Sequence, residues 1–131
     1  MCSSDLHFAG LVSPDEVADH LVLADMLWHL SLHEGLPRSV VQSLGCGKPA
    51  VGFRLDGTPE VVLDGVTGYC AAPEAVDEVA ARTLEILSDP AKMRAMGEAG
   101  RKLVADRFGH QKMADTLEEA YVELLNGRTG R

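Results

Sequence analysis

The sequence predicts an α/β domain: part of a Rossmann-like parallel sheet with flanking helices, followed by a helical C-terminal segment. Short apolar runs alternate with helical patterns over residues 6–71, which is typical of parallel strands joined by helical crossovers. From residue 73 onward the pattern is that of amphipathic helix alone. A length of 131 residues with 46% apolar residues suits one hydrophobic core, so we expect a single globular unit.

The N-terminal part predicts a short strand and then a capped helix. Residues 1–5 carry no pattern, whereas residues 6–12 form an apolar stretch that we interpret as a strand. Ser13, Pro14 and Glu16 follow with the spacing of a capping box. We therefore expect a helix that starts here and runs to about Ala24.

The central part predicts a strand followed by a short helix. Residues 26–32 are a compact apolar run of strand length, which we interpret as a buried parallel strand. Pro37 suits the first position of a helix, and Val40 and Leu44 recur at helical spacing. The Gly-Lys-Pro sequence of residues 47–49 then ends this helix.

Two more strands complete the predicted sheet. Residues 50–54 form the first of them and residues 68–71 the second. Between them, Thr58 is interpreted as the cap of a short helix that ends near residues 64–65. We therefore expect right-handed crossovers between parallel strands, which place the loops after the strands at one edge of the sheet.

Three amphipathic helices follow. The first begins after Pro73, the second begins at Asp89 and Pro90, and the third runs to about residue 126, before a frayed tail at residues 127–131. Their predicted buried residues are, in chain order, Val76, Val79, Ala80, Thr83, Leu84 and Leu87; then Met93, Met96, Leu103 and Val104; then Met113, Leu117, Ala120, Tyr121 and Leu124.

Composition argues against several classes of function. A net charge of −8 and a pI near 5.0 disfavour a nucleic-acid binder, because such proteins need clustered Lys and Arg. No apolar run approaches the ~20 residues that cross a bilayer, and no secretory signal is evident, so we expect no transmembrane segment and a cytoplasmic location. Cys2, Cys46 and Cys70 are too widely spaced for a disulfide framework or a zinc knuckle, and we expect reduced thiols.

The candidate site lies in the loop of residues 32–37, at the carboxyl end of the first central strand. Here Glu34 and Gly35 precede a helix that carries Gln42. The free N–H groups of a helix N-terminus suit a phosphate, and Gly35 permits close approach of a ligand to the backbone. The Glu34 carboxylate is able to accept hydrogen bonds from sugar hydroxyls, and Gln42 is able to meet those of a ribose. This arrangement predicts a nucleotide-sugar site.

The order of motifs resembles the C-terminal nucleotide-sugar domain of the retaining glycosyltransferases of the GT-B fold, family 4. The resemblance covers nearly everything after Asp5. The matching segments are the Ala-Asp at residues 24–25, the Glu-Gly at 34–35, Gly-Cys-Gly-Lys-Pro-Ala-Val at 45–51, Gly-Thr-Pro-Glu-Val-Val at 57–62, Asp-Gly-Val-Thr-Gly at 64–68, the Arg-Phe at 107–108 and the final helix containing Tyr121.

The resemblance implies specific roles for residues of this site. In the family, two glutamates separated by seven residues contact the donor; Glu34 matches the first, which lies at the sugar hydroxyls and is the candidate catalytic residue. Gln42 stands where the family has the second glutamate, at the ribose. Backbone amides after the first glutamate also lie near the donor, which implies Gly35, Leu36 and Pro37. Pro37 has no N–H to give, and Arg38 is a candidate to compensate.

The resemblance also implies what the chain does. Residues 6–126 would be a partial donor-binding domain, and the complete enzyme would transfer a sugar from a nucleoside-diphosphate sugar to an acceptor hydroxyl with retention. The family's basic residues for the diphosphate, and its N-terminal acceptor domain, have no counterpart in these residues. We therefore expect the isolated chain to be inactive, and the chain to be truncated. No metal and no cofactor is expected.

Other interpretations remain open. The sequence also fits a non-catalytic nucleotide- or sugar-binding module, or a fragment that binds nothing and whose exposed sheet edge invites aggregation. Considered apart from the surrounding pattern, Glu34 fits an acid that complements a helix dipole, and Gln42 fits a solvated helix residue. His29 and His33 do not predict a metal site, because four residues of strand span ~13 Å; we expect His29 to be packed in the strand and His33 to lie in the loop. Cys46 is interpreted as a small buried residue.

Overall fold

A three-stranded parallel sheet forms the centre of the molecule. A computed structural model of the chain describes residues 6–128, so the predictions for residues 1–5, Cys2 included, and for residues 129–131 lie outside it. The strands are β1 (Leu27–His29), β2 (Ala50–Phe53) and β3 (Gly68–Ala71), in the order β1-β2-β3. Leu27 pairs with Ala50 across the first ladder, and Ala50 pairs with Gly68 across the second. The predicted α/β class and parallel pairing are confirmed.

Six helices accompany this sheet within residues 6–128. Short ones connect the strands, and long ones make up the C-terminal part, as the sequence predicts. Their bounds are α1 Val17–Leu23, α2 Arg38–Gly45, α3 Thr58–Val61, α4 Val76–Leu87, α5 Pro90–Arg107 and α6 His110–Arg128.

The core lies on both faces of β2 and β3, which are buried at every residue. Alternate residues of a strand point to opposite faces, so this sheet separates two apolar clusters. One cluster packs the sheet against α4 and α5, and the other packs it against α2 and α3. The buried residues of the first are Val51, Phe53, Tyr69, Ala71, Val79, Ile86 and Met96; those of the second are Val40, Leu44, Ala50, Val61, Val62 and Cys70.

Glycines allow α5 to pack closely against α2 and the turn that follows it. A Cβ atom at Gly97 would lie 2.1 Å from the carbonyl oxygen of Gly47, and one at Gly100 would lie 2.9 Å from a methyl carbon of Leu44. Gly47 itself has a φ of +75°, a conformation that glycine adopts without steric cost and that ends α2. Arg101 then donates to the carbonyl oxygen of Cys46 at 3.1 Å, which ties the two elements together.

The Glu85 carboxylate joins β3, α4 and α5. It accepts hydrogen bonds from the Tyr69 hydroxyl at 2.6 Å, from Arg82 at 2.9 Å and from Lys92. The guanidinium of Arg82 also lies 4.6 Å from the centre of the Tyr69 ring, and the Lys92 ammonium lies 5.3 Å from it. Two cations therefore share one carboxylate and one aromatic ring, which is a favourable arrangement for both.

The predicted start of the chain is wrong in two respects. Residues 6–12 form no strand, because no neighbouring strand within the described residues pairs with them, and Leu6, Phe8 and Leu11 are exposed. The helix begins at Val17 and has no side-chain cap. The Ser13 carbonyl oxygen instead accepts from the Glu16 N–H at 2.9 Å, so the expected capping box is a turn.

Strand β1 is shorter and more exposed than the predicted buried strand of residues 26–32. It covers Leu27–His29, and Trp28 is 57% exposed. The reason is its position at the edge of the sheet, where one side has no neighbouring strand within residues 6–128. Trp28 retains one specific contact, in which its indole N–H donates to the Thr83 hydroxyl at 2.8 Å.

The predicted apolar faces of α4, α5 and α6 differ in how far they are buried. In α4 the buried residues are Val79, Thr83 and Ile86, so the predicted stripe is right at Val79 and Thr83, whereas Ala80 is exposed and Ile86 lies outside the predicted stripe. The face of α5 is buried or half-buried as predicted. Residues whose predicted burial is wrong are Val76, Ala80, Leu84 and Leu87 in α4 and Met113, Leu117, Ala120, Tyr121 and Leu124 in α6; no element packed within residues 6–128 covers them.

The predicted start is right for α5 and wrong in its capping residue for α3. Helix α5 starts where the sequence predicts, and Asp89 is its cap, with a carboxylate that accepts from the N–H groups of Ala91 and Lys92. Thr58 does not cap α3: Gly57 holds the cap position, and Thr58 is the buried first residue of the helix, with its methyl group against Gly52. Helix α6 continues through Arg128, two residues beyond its predicted end.

Candidate functional site

Two loops meet at the carboxyl ends of β1 and β2. The loop after β1 carries Glu34 and Gly35, and the loop after β2 carries Asp56 and Gly57. The Glu34 N–H donates to a carboxylate oxygen of Asp56 at 3.0 Å, and the Gly57 N–H donates to the Gly35 carbonyl oxygen at 3.1 Å. The two loops that the sequence places at this edge are therefore bonded to each other, through a pair of hydrogen bonds that the sequence did not reveal.

Backbone geometry at this junction is tight. A Cβ atom at Gly57 would lie 2.3 Å from the Gly35 carbonyl oxygen, so only glycine fits there. Asp56 has a φ of +47°, in the left-handed region that Asn and Asp tolerate better than most residues. The Asp-Gly pair that the sequence marks as a turn thus also fixes the position of the Glu34 backbone.

The start of α2 presents free backbone donors. Pro37 is fully buried and precedes the helix, and its carbonyl oxygen accepts from the N–H groups of Val40 and Val41. For the N–H groups of Arg38 and Ser39, no acceptor occurs within residues 6–128. The N-terminal N–H groups of a helix carry a partial positive charge and bind anions, so this end of α2 suits a phosphate.

Glu34 lies in the loop just before this helix, with its side chain 39% exposed. Its carboxylate oxygen Oε2 is 3.8 Å from Nε2 of His29, at the end of β1. The His29 side chain is only 11% exposed, and its Nε2 has no hydrogen-bond partner in the described part of the chain. His29 is therefore packed in the strand, as predicted, but its contact with Glu34 was not.

A cleft of about 900 Å³ opens beside α2. One wall is formed by Leu36, Arg38, Val41 and Gln42, and the other by the end of α5, the following turn and the first half of α6. Arg38 and Gln42 are four residues apart on one helix, which places them on the same face. The opposite wall consists of Asp106, Arg107, Phe108, His110, Lys112, Met113, Thr116 and Leu117.

The structure thus divides the predicted site residues into two neighbouring groups. Leu36, Arg38 and Gln42 line the cleft, whereas Glu34 and Gly35 lie in the loop that leads into it. Space above Gly35 is open, since a Cβ atom there would meet no heavy atom within 4 Å. The basic groups on the far wall of the cleft were not predicted, because only the packing of the last two helices brings them here.

The cysteines and the potential metal ligands of residues 6–128 do not form a second candidate site. Cys70 is buried, burial raises the pKa of its thiol, and its Sγ–H donates to the Val62 carbonyl oxygen at 3.3 Å. Cys46 is half-buried at the end of α2. Within residues 6–128, no group of three or more His, Cys, Asp or Glu side chains is placed to hold a metal ion. No helix in the same range is long and apolar enough to span a membrane.

Comparison with known proteins identifies the family. Residues 2–103 match the sequence profile of the family described as glycosyl transferases group 1. The chain belongs to this family. The match covers β1, α2 and both site loops, so the candidate site lies within the part of the chain that matches the family.

Curated relatives of this glycosyltransferase chain are themselves named for sugar transfer or synthesis. It is 33% identical over 126 residues to the MMP alpha-(1->4)-mannosyltransferase of Mycolicibacterium hassiacum, a match that covers 94% of this chain and 30% of the relative. It is 32% identical over 111 residues to the N-acetyl-alpha-D-glucosaminyl L-malate synthase of Bacillus anthracis, covering 85% and 29%. The chain therefore spans just under a third of the length of these relatives.

Solved structures of GT-B enzymes share the fold. A sucrose-phosphate synthase from Thermosynechococcus elongatus superposes with a TM-score of 0.86 at 24% identity, over 92% of this chain and 30% of that protein. Anabaena HepE, solved in complex with UDP-glucose, superposes with a TM-score of 0.72 at 26% identity, over 79% of this chain and 30% of that protein. The glycosyltransferase chain thus has the architecture of part of a GT-B enzyme.

Proposed function

We propose that this chain forms the donor-binding part of a glycosyltransferase that moves a sugar from a nucleoside-diphosphate sugar to an acceptor hydroxyl with retention. The observation that carries the proposal is the free amide end of α2 with Glu34 beside it, in a chain whose family is one of glycosyltransferases. HepE supports the donor class, because it was solved with UDP-glucose. The acceptor would be held by a part of the enzyme outside these residues, as would the further basic groups that grip the diphosphate.

Each site residue has a proposed role in this arrangement. The diphosphate lies across the N–H groups of Arg38 and Ser39, where the partial charge of the helix offsets the negative charge of the ligand. The Glu34 carboxylate accepts from sugar hydroxyls, and the open space above Gly35 leaves room for the sugar. Gln42, in the cleft, accepts from and donates to the hydroxyls of the ribose.

The backbone ties give this site its rigidity. A carboxylate that accepts from a sugar hydroxyl is useful only when it is held in place before the donor arrives. The hydrogen bond from the Glu34 N–H to Asp56 and that from Gly57 to Gly35 hold the loop against its neighbour. Asp56 therefore supports the site through the backbone of Glu34 rather than through contact with the donor.

Donor binding is the direct test of this proposal. Saturation-transfer NMR and calorimetry on the chain would use UDP, UDP-glucose, GDP and GDP-mannose as probes. We expect one nucleotide sugar to bind, and we expect Gln42→Ala to weaken its binding about three- to tenfold through the loss of a hydrogen bond to the ribose. Gln111→Ala, which removes an exposed glutamine of α6 outside the cleft, is the matched control and should leave binding unchanged.

Turnover is tested in a longer polypeptide that joins this chain to an acceptor domain. There Glu34→Ala should lower kcat/KM at least about tenfold, the effect of losing a charged hydrogen bond to the donor. Glu98→Ala, which removes an exposed glutamate of α5, serves as the control. Unchanged kinetics for Glu34→Ala, or the absence of binding for all four probes, would overturn the proposal.

A further inference from the structure

We propose that His29 is a positioning residue, which holds the Glu34 carboxylate in the orientation that receives the donor sugar. This inference rests on the proposed function, and it deepens it by naming a residue that selects for the sugar rather than for the nucleotide. The observations that carry it are the 3.8 Å separation between Nε2 of His29 and Oε2 of Glu34, and the lack of any other partner for that buried nitrogen within residues 6–128.

A buried imidazole nitrogen without a partner is unusual in a folded protein. Buried polar side-chain atoms are nearly always hydrogen-bonded, and the exceptions call for a physical reason. Here the acceptor closest at hand is the carboxylate of Glu34, and a shift of roughly 1 Å would bring it to hydrogen-bond distance. Nε2 then donates to Oε2, either in the neutral tautomer that carries its hydrogen on Nε2 or in the protonated imidazole.

The imidazole itself has little freedom to move. His29 is the last residue of β1, paired with Gly52 of β2, and its side chain is 11% exposed. A Cβ atom at Gly52 would lie 3.1 Å from the His29 carbonyl oxygen and 2.9 Å from the methyl group of Thr58, so this side of the strand is filled. The required shift therefore belongs to the Glu34 side chain, which is 39% exposed.

Two supports then act on Glu34 from different directions. Asp56 accepts from its backbone N–H at 3.0 Å and fixes the main chain, while His29 faces its carboxylate. With Oε2 engaged by His29, Oε1 remains free to accept from a sugar hydroxyl. A carboxylate held at one oxygen loses less rotamer freedom when the sugar binds, which favours binding of the sugar.

The resulting prediction separates the sugar from the nucleotide. His29 acts through Glu34 alone, so removing Nε2 should weaken binding of a nucleotide sugar without weakening binding of its parent nucleotide. The measurement is the ratio of the two dissociation constants by calorimetry, for UDP against UDP-glucose and for GDP against GDP-mannose. We call the dissociation constant of the nucleotide divided by that of its nucleotide sugar the preference for the sugar. In His29→Leu we expect this preference, taken for the nucleotide sugar that binds better, to fall about tenfold, the effect of one charge-assisted hydrogen bond.

A conservative variant distinguishes positioning from packing. His29→Gln places an amide N–H near the position of Nε2, and we expect it to restore the preference to within about threefold of the wild-type chain. His20→Leu removes an exposed histidine of α1 and is the matched control. Equal preferences in the wild-type chain and in His29→Leu, or a loss in His29→Leu that His29→Gln fails to restore, would contradict the inference.

NMR spectroscopy measures the contact between His29 and Glu34 when no nucleotide sugar is bound. The ¹⁵N chemical shift of His29 Nε2 at neutral pH reports its hydrogen bonding, and we expect it to change in Glu34→Gln but not in Glu98→Gln. Absence of that change would overturn the inference while leaving the proposed function intact.

If neither nucleotide sugar binds the wild-type chain, the proposed function fails and the role of His29 fails with it. If binding is seen and only the His29 effects are missing, the inference alone fails.

Discussion

At the scale of single residues, Glu85 shows how one side chain secures several elements. Hydrogen bonds from Lys92, Tyr69 and Arg82, in decreasing order of effect, lower the pKa of its carboxyl from 4.5 to about 2. The same contacts raise the pKa of Lys92 and of Arg82. All three partners favour the ionised carboxylate, so the folded state binds a proton at this position less readily than the unfolded chain does.

The stability of the chain should therefore depend on the ionisation of Glu85. A carboxyl whose pKa is depressed on folding adds stability above its unfolded value, near 4.5, and loses that contribution as the pH falls toward about 2. We expect the wild-type chain to melt at a higher temperature than Glu85→Gln at pH 7, and the difference to shrink between pH 4.5 and pH 2. Circular dichroism across this range measures it.

The control for this effect is Glu98→Gln, which changes an exposed carboxylate of α5 for which no ion pair is found in the described part of the chain. Its melting temperature should follow that of the wild-type chain at each pH. A constant difference between wild type and Glu85→Gln at all pH values would show that the charge of Glu85 is not what matters.

Single residues also mark the limit of prediction from sequence. Glu34 and Gln42 were identifiable because they stand at fixed places relative to a strand and a helix. The contacts of Glu34 were not, because His29 comes five residues earlier and Asp56 is 22 residues away, and only the fold brings them together. In the same way, Glu85 is not among the predicted buried residues of α4, and the sequence does not show that Tyr69 lies opposite it.

At the scale of elements, the close packing of α5 against the end of α2 depends on Gly97. Its Cβ position lies 2.1 Å from a backbone carbonyl oxygen, that of Gly47, which cannot move without disturbing the turn. We expect Gly97→Ala to lower the free energy of unfolding by about 1–3 kcal/mol, the usual cost of overpacking, even though alanine is the better helix former. Urea denaturation at neutral pH measures this change.

The matched variant is Gly45→Ala, at the last residue of α2. A Cβ atom there would lie 3.6 Å from a Val104 methyl carbon, an ordinary van der Waals distance. This substitution should leave stability unchanged or raise it by up to about 1 kcal/mol, because glycine is costly in a helix. Similar losses in both variants would show that steric conflict is not the cause.

Prediction of elements from the sequence succeeded where local signals and tertiary packing agree. The bounds of β3 and the start of α5 follow from turn residues and from the Asp-Pro pair at residues 89–90, which act locally. It failed for residues 6–12 and for the burial of β1, where apolar character suggests burial but Leu6, Phe8, Leu11 and Trp28 are exposed. A hydrophobic pattern identifies a face that is able to bury itself, but not the surface that covers it.

At the scale of the whole molecule, the described residues contain one well-packed part and one exposed helix. Strands β2 and β3 are buried throughout, and α5 buries Met96, Gly97 and Gly100 in its middle. By contrast, residues 110–127 of α6 are all exposed. Regions with few buried apolar contacts open at lower free energy than the core does.

This contrast predicts an order of hydrogen exchange. In the isolated chain at neutral pH, we expect the backbone amides of α6 to have protection factors at least about tenfold lower than those of α5. NMR-detected exchange reads both helices in one experiment, so α5 is the internal control. Equal protection in the two helices would mean that α6 opens only together with the core.

The hydrogen bonds between the two site loops constrain any redesign of donor preference. Residues 32–37 and 54–58 are joined through Glu34 to Asp56 and through Gly57 to Gly35. Grafting one of these loops from another enzyme would bring new side chains while removing an anchor of the segment left behind. The loops should therefore be exchanged as a single cassette, and libraries that randomise one of them should keep Asp56 and Gly57 fixed.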